Sequence, residues 1–382
     1  MITRHIRFRS ISLLFLVLLS VYIVAGCGQS APSQKEPQSE FMPALPAEVG
    51  MDASVINRID TAVGNGTFPN IHSVLIAKDN KLVYEKYWTG PDEVWGVTAG
   101  VRSHAADSLH DIRSVTKSMV SACMGILMQQ GKIKGSRQRV FDFFPEYAQQ
   151  DTGLKSLLTI EHLLTMTSGL KWNEDVPYDN PENSEIRMVM SKNPVEYVLS
   201  QPMEMPPGKQ WKYNGGTTQL LAAIIEKTTG QRIHEFAAKN LFQPLGITRY
   251  EWAIYLGTEE YAAASGLRLR SRDLLKFGLL YLNNGSWNGT QIIPEKWVQE
   301  SVHPHIRTHN GAYGYQFWLY NDTIQQQPAN IIACVGNGDQ RIFIDKARKL
   351  VIVVTAGNYN KWNIDNNASA LAREYIYPAL RK

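Results

Sequence analysis

The stretch DIRSVTKSMVSACMGIL, Asp111 to Leu127, sets a serine three residues ahead of a lysine at the head of an apolar run. On a helix, positions three apart share a face, so Ser114 and Lys117 point the same way. A serine hydroxyl is a poor nucleophile until a base takes its proton. A lysine drawn out of water gives up its charge more readily, and can be that base. Val115, Met119, Ala122, Cys123, Ile126 and Leu127 mark the buried stripe of the helix, and Gly131 ends it. Ser114 then lies at the helix N-terminus, where unpaired N–H groups and the dipole favour negative charge. The chemistry this points to is acyl transfer onto Ser114. A second Ser-x-x-Lys runs from Ser168 to Lys171, but it contains Ser-Gly, a turn signal, and no amphipathic helix follows it.

Other arrangements that carry chemistry are weaker. His303, His305 and His309 fall within seven residues, yet no acidic or cysteine ligand joins them and Pro304 marks a surface loop. No metal and no cofactor is therefore expected. Gly-x-Ser-x-Gly does not occur, nor does a glycine-rich phosphate loop.

These residues must be positioned by a large fold. The chain has 382 residues, 44% hydrophobic and 19% charged, enough for one big domain or two intimate lobes. Three of the four excess positive charges, Arg4, Arg7 and Arg9, sit in the leader, and no basic block remains for a nucleic acid. The leader joins this cationic start to an apolar run from Ile11 to Ile23, then Val24-Ala25-Gly26-Cys27. This reads as a secretory signal over 1–26, and the run is short for a membrane span. Its end resembles the lipobox of bacterial lipoproteins, which implies lipidation of Cys27. The expected location is the cell envelope, with the domain outside the cytoplasm and held to a bacterial membrane by lipid. Residues 27–46, rich in Ser, Pro, Gln and Glu, read as a disordered tether, and the folded domain as 47–382. Cys123 and Cys334 lie in apolar runs and read as buried thiols.

HSVLIAK and KLVYEKYW around Asp79-Asn80 predict a β-hairpin. The middle of the chain is mostly helical, with a helical lobe at about 135–265. Thr159, Thr217 and Ser271 are the expected caps of its main helices and of the helix after it. NIIACVG, RIFID and KLVIVVTAG are strands, and a last helix follows. The expected fold is α+β: the outer strands form one antiparallel sheet flanked by helices, beside an all-helical lobe. A site is expected between the lobes.

SVTKSMVSACMGILMQQGKI resembles the active-site helix of serine β-lactamases and penicillin-binding proteins. LTIEHLLTMTSGL is similar to a second segment of that family, with Met166 where the family has His. PPGKQWKYNGGTTQLLAAIIEKTTGQ resembles the region of its Tyr-x-Asn motif. FQPLGI, SGLRLRSRDLLKFGLLYLNNGSWNGTQIIPEKWV and YGYQFWLY also match in order, from about 60 to 380. The resemblance is nearest to the class C β-lactamase-like branch, with its esterases, D-peptidases and an amide-oligomer hydrolase. It implies the β-lactamase/transpeptidase fold, Ser114 as nucleophile, Lys117 as its partner and Tyr213 in the tyrosine role. A neighbouring ammonium favours a phenolate at Tyr213, which makes it the base for attack and the acid for the leaving group. By position, Trp172 and Trp318 are the best cleft-lining aromatics, ahead of Tyr178, Trp211 and Trp252.

The chain also departs from the pattern. Gly215 stands where the second motif wants Asn, and Asn214 is one residue early. The stretch VGNGDQRIFID, Val335 to Asp345, keeps Gly336, Asn337 and Gly338 at the third motif but lacks its Lys or His. That stretch and Ser114 are expected to supply the oxyanion hole. The missing base removes a charge-assisted bond worth ~1.5–3 kcal/mol to a substrate carboxylate, and Arg341 is the only nearby replacement. The expected function is hydrolysis of an ester, amide or peptide bond in a small molecule without that carboxylate. The alternatives are a β-lactamase, a D-alanyl-D-alanine carboxypeptidase, or a cell-wall- or β-lactam-binding lipoprotein without turnover.

Overall fold

The computed structural model describes residues 40–361 and 367–381. The signal sequence, Cys27 and the tether as far as residue 39 lie outside the described residues. No helix among the described residues is long and apolar enough to cross a membrane.

Nine strands form the main sheet. From edge to edge they are Met42–Pro43, Lys81–Tyr87, Ile71–Lys78, Leu350–Ala356, Gln340–Asp345, Gln327–Gly336, Trp318–Ile324, Gly311–Tyr313 and Ile306–Thr308. All neighbours run antiparallel except the short Met42–Pro43 edge. The N-terminal hairpin and the C-terminal strands therefore share one sheet, joined where Ile71–Lys78 pairs with Leu350–Ala356. Asp79 and Asn80 both take positive φ, 52° and 63°, as a two-residue turn requires.

The sheet is buried on both faces, and its side chains alternate between them. Leu75, Ala77, Val351 and Val353 face the larger core, which continues into the helical lobe. Val74, Ile76, Ile352 and Val354 face the smaller one. On the larger side the helix Ser271–Leu282 comes so close that a Cβ on Gly278 would meet Val351 at 2.5 Å.

Three expectations about boundaries change. The fold begins before residue 47, because Phe41 is buried and Glu40 pairs with Arg270 at 2.9 Å and Lys276 at 3.0 Å. The helix predicted to start after Thr217 runs Gly215–Thr229, and its cap is Asn214, whose side chain accepts the Thr217 N–H. Ser271 caps nothing: it is the first residue of its helix and bonds Ser73 instead, at 2.7 Å. Thr159 does stand at the head of its helix, Ile160–Leu164.

Three small sheets were not predicted. The first is the hairpin Thr89–Val94 with Val97–Ser103, the second joins Leu109–Asp111, Leu267–Arg270 and Glu251–Trp252, and the third pairs Ser286–Trp287 with Thr290–Gln291. The second leads directly into the turn that carries Ser114. Cys123 and Cys334 are buried and free.

Candidate active site

Ser114 sits at the cap position of the helix Val115–Gln129. The residue before it, Arg113, holds a positive φ of 48°, which turns the chain sharply out of the strand Leu109–Asp111. Such a conformation is costly for a residue with a side chain. Arg113 is held there by Glu93 at 3.2 Å, Asp111 at 3.5 Å, and the face of Tyr359, 4.5 Å below its guanidinium.

Lys117 lies one helical turn on and is only 1% exposed. Its Nζ donates to Ser114 Oγ at 3.1 Å and to the carbonyl of Ala264 at 3.0 Å. The lysine at the head of the apolar run is thus engaged with the serine and with one backbone oxygen. Gln316 fixes the helix one turn further: its carbonyl accepts from Ser118, its Oε1 from Thr218, and its Nε2 donates to Leu163 and Leu164. Three helices are tied around the nucleophile by that one amide.

Tyr213 completes the group. It precedes the Asn214 cap, and Lys117 Nζ is 4.9 Å from the centre of its ring. Ser114 lies close enough to its phenol to act on the phenol's proton. The expected phenolate is not favoured here. Desolvation, reinforced by the charge of Glu174, pushes the phenol well above its usual range, and the Ser114 contact opposes this only in part. The resting tyrosine is a proton donor.

The second Ser-x-x-Lys comes apart: Ser168 is buried, Lys171 is exposed, and no helix joins them. Of the three residues expected at the third motif, Gly336 lies against the nucleophile's turn. A Cβ there would meet the Ile112 carbonyl at 2.4 Å, so only glycine permits the approach. Asn337 turns away and exchanges hydrogen bonds with Asn360, at 2.6 and 2.9 Å. Gly338 packs on Tyr359. Arg341 does not replace the missing base, since its Nη1 donates to the carbonyls of Gly336 and Gln340 and its Nη2 faces Asp339.

Trp172 was expected to line the cleft but is buried, edge-on to Tyr197, with its Nε1 donating to Glu174. Trp252 is likewise buried. Trp318 stacks on Tyr213, with centroids 6.0 Å apart, and Trp211 meets Trp318 at 5.3 Å and Tyr313 at 5.8 Å. These rings make an aromatic wall beside the phenol. In the histidine trio His303 meets His305 at 5.2 Å and His305 stacks on Tyr315, while His309 lies against Trp211.

Two acids that the sequence did not single out explain Gly215. Glu174 Oε2 accepts from Gly215 N–H and from Trp172 Nε1, both at 2.5 Å, and Tyr178 donates to its other oxygen at 3.2 Å. Glu185 is buried, accepts from Ser265, and its Oε2 would lie 2.9 Å from a Cβ on Gly215. A side chain at 215 would have to push the Glu185 carboxylate aside. Desolvation first, then the neighbouring Glu185 charge, pushes the Glu174 carboxyl up to about 8. Glu174 therefore holds its proton near neutrality.

A family model named Beta-lactamase matches residues 59–373, most of the chain. The chain belongs to the beta-lactamase family. Among its relatives in that family, the 6-aminohexanoate-dimer hydrolase of Paenarthrobacter ureafaciens is 25% identical over 65% of this chain and 66% of its own. Esterase EstB of Burkholderia gladioli is 26% identical over 45% of this chain and 44% of its own. A putative D-alanyl-D-alanine carboxypeptidase of Escherichia coli K12 is 26% identical over 53% and 48%. The chain thus spans about half to two thirds of the length of the curated relatives it matches. Among solved structures, a putative 6-aminohexanoate-dimer hydrolase from Bacillus anthracis superposes with a TM-score of 0.65 at 20% identity, covering 82% of each chain. The hydrolase EstCE1 gives 0.66 at 15% identity, over 86% and 98%. These likenesses show the β-lactamase/transpeptidase fold.

Proposed function

We propose that this protein is a serine hydrolase that cleaves a neutral ester or amide through an acyl-enzyme on Ser114. The observation that carries the reading is the buried Lys117 amine, 3.1 Å from Ser114 Oγ and anchored on the Ala264 carbonyl. A fixed amine beside an alcohol, sheltered from water, is what activation of a serine requires.

In this reading Ser114 attacks the substrate carbonyl and its proton passes to Lys117. The Ser114 N–H, at a helix N-terminus, and a backbone N–H from the glycine stretch beginning at Gly336 receive the developing oxyanion. Tyr213, resting as a phenol, gives its proton to the departing alcohol or amine and recovers one from Lys117. Water then resolves the acyl-enzyme along the same path in reverse. The third motif has no base, and Arg341 is engaged with the backbone around Gly336. Both features favour substrates without a carboxylate, and the half-buried rings of Trp211 and Trp318, backed by Tyr313, favour an apolar group. The relatives named as esterase and as amide-dimer hydrolase agree with this class. The leader adds that the enzyme is a lipid-anchored envelope protein.

The second reading is a β-lactamase or a D-alanyl-D-alanine carboxypeptidase, for which the Escherichia coli relative speaks. A panel separates the two. Purified protein is offered short-chain p-nitrophenyl esters, neutral amides, D-alanyl-D-alanine peptides and a chromogenic cephalosporin. Ester or amide turnover that disappears in Ser114→Ala supports the proposal. Preferred turnover of the cephalosporin or the D-alanyl peptide overturns it.

A further inference from the structure

Three histidines and an aspartate converge away from the nucleophile, and the mechanism uses none of them. His72 comes from the strand Ile71–Lys78, Asp92 from the hairpin strand Thr89–Val94, His104 from just past Val97–Ser103, and His110 from Leu109–Asp111. One ligand atom from each lies within 4.8 Å of all the others. His72, Asp92 and His110 are at most 3% exposed, and the His104 side chain is 5% exposed.

The outer hydrogen bonds fix which nitrogens face inward. His110 Nδ1 lies 3.0 Å from the Asp111 carbonyl, so it carries the hydrogen and leaves Nε2 as a lone pair. His72 Nε2 lies 3.0 Å from Asn70 Oδ1. That amide is oriented by its own Nδ2, which donates to the Pro91 carbonyl at 3.0 Å, so His72 Nε2 also carries the hydrogen. His72 Nδ1 and His110 Nε2 then present two lone pairs to each other at 2.8 Å. Asp92 Oδ1 is 4.0 Å from the first and 3.8 Å from the second. Asp92 Oδ2 is 4.0 Å from His104 Nε2, a buried atom with no hydrogen-bond partner. The two inward imidazole nitrogens and the Asp92 carboxylate thus meet with no hydrogen between them, and His104 Nε2 lies beside them without a partner.

We propose that His72, Asp92, His104 and His110 form a structural site for one divalent transition-metal ion, with Zn2+ its occupant. Tetrahedral Zn2+ with bonds of ~2.0–2.1 Å sets its ligands about 3.3 Å apart, and the four contacts above bracket that spacing. Three neutral imidazoles and a carboxylate suit zinc rather than magnesium or calcium, which prefer oxygen. The surrounding shell fits the same reading. Tyr359 donates to Asp92 at 3.2 Å, and a Cβ on Gly90 or Gly357 would strike the Asn70–His72 pair. An open pocket of about 330 Å³ reaches Asp92 and His104 from solvent and offers an entry path. Arg268, which lines it, is already paired with Asp111 at 2.7 Å and with Glu251. The ion would clamp the strand that delivers Ser114 to the two hairpins before it. The surface trio His303, His305 and His309 takes no part.

The test is metal analysis of the full-length protein, purified without a histidine tag after incubation with ZnCl2 and dialysis. About one Zn2+ per chain is expected. A chelator should lower the thermal midpoint, and ZnCl2 should restore it. His104→Ala, at the open edge of the site, and Asp92→Asn should both lose the ion, while a triple alanine variant at His303, His305 and His309 keeps it. A different divalent metal at one per chain, lost from the same two variants, supports the site and replaces zinc as its occupant. Wild type with less than about a tenth of an ion per chain and a midpoint indifferent to chelator and ZnCl2 overturns the proposal. So does binding that survives His104→Ala and Asp92→Asn but vanishes from the surface triple variant.

Discussion

Two polar clusters lie at the two ends of the short segment from Leu109 to Lys117, and they are built in opposite ways. The Ser114–Lys117–Tyr213 group takes two of its members from a single helical turn, and its third from the residue just before the cap of a neighbouring helix. The His72–Asp92–His104–His110 group takes each member from a different segment. In the first cluster a hydrogen lies between Lys117 and Ser114, whose amine and hydroxyl can pass it on. In the second, lone pairs face lone pairs. A cluster for proton transfer needs hydrogens between its atoms. A cluster without them asks for a cation.

That contrast can be broken most severely at the serine. Ser114→Ala should lower ester turnover by about a thousandfold or more, with circular dichroism unchanged. Lys117→Met, which keeps the volume of the stem, should lose about as much, because both act on one proton transfer. An ester rate that stays within tenfold in either variant would detach the cluster from the chemistry. Next is Tyr213→Phe, expected to cost about a hundredfold or more in kcat with little change in KM, as for loss of a general acid. An effect confined to KM would make the ring part of the binding wall only.

Gly215→Asn puts the family's motif residue into the space held by Glu185. Overpacking of this kind costs about 1–3 kcal/mol, to be read from urea unfolding, and should bring no cephalosporin turnover. A variant as stable as wild type, with new β-lactam activity, would refute the account of Gly215. The smallest effect concerns pH. The Glu174 carboxyl is raised from 4.5 to about 8 in the folded protein. Its protonated form favours folding, fully so below the unfolded value, and that contribution is lost as pH climbs through about 8. The thermal midpoint should therefore fall as pH rises from about 4.5 to about 8 and level off above that, and Glu174→Gln, which mimics the protonated acid, should flatten the fall. An equally steep fall in the variant assigns it to other groups.

How much was legible in the chain follows from the same contrast. Ser114 and Lys117 could be read because their spacing matches a helical turn and the stripe around them matches a buried face. The hairpin at Asp79-Asn80 and the C-terminal strands could be read because local alternation and turn residues specify them. Tyr213 needed the family resemblance, since one tyrosine in an extended segment carries no local signal. Glu174 and Glu185 were invisible: their role is set by the room that Gly215 leaves. Trp172 misled because position along the chain says nothing about which face of a loop an indole takes, and here Glu174 draws it inward. Residues 40–46 misled through composition, which cannot see that Phe41 buries and Glu40 meets two cations. The dispersed histidines share no spacing that a reader could follow.

The central claim is a covalent acyl-type bond on Ser114, and intact mass spectrometry after treatment with a fluorophosphonate tests it most directly. One adduct per chain on wild type, mapped to the peptide holding Ser114 and absent from Ser114→Ala, is the predicted result. An adduct of the same yield on Ser114→Ala, or on a peptide elsewhere in the chain, would contradict it.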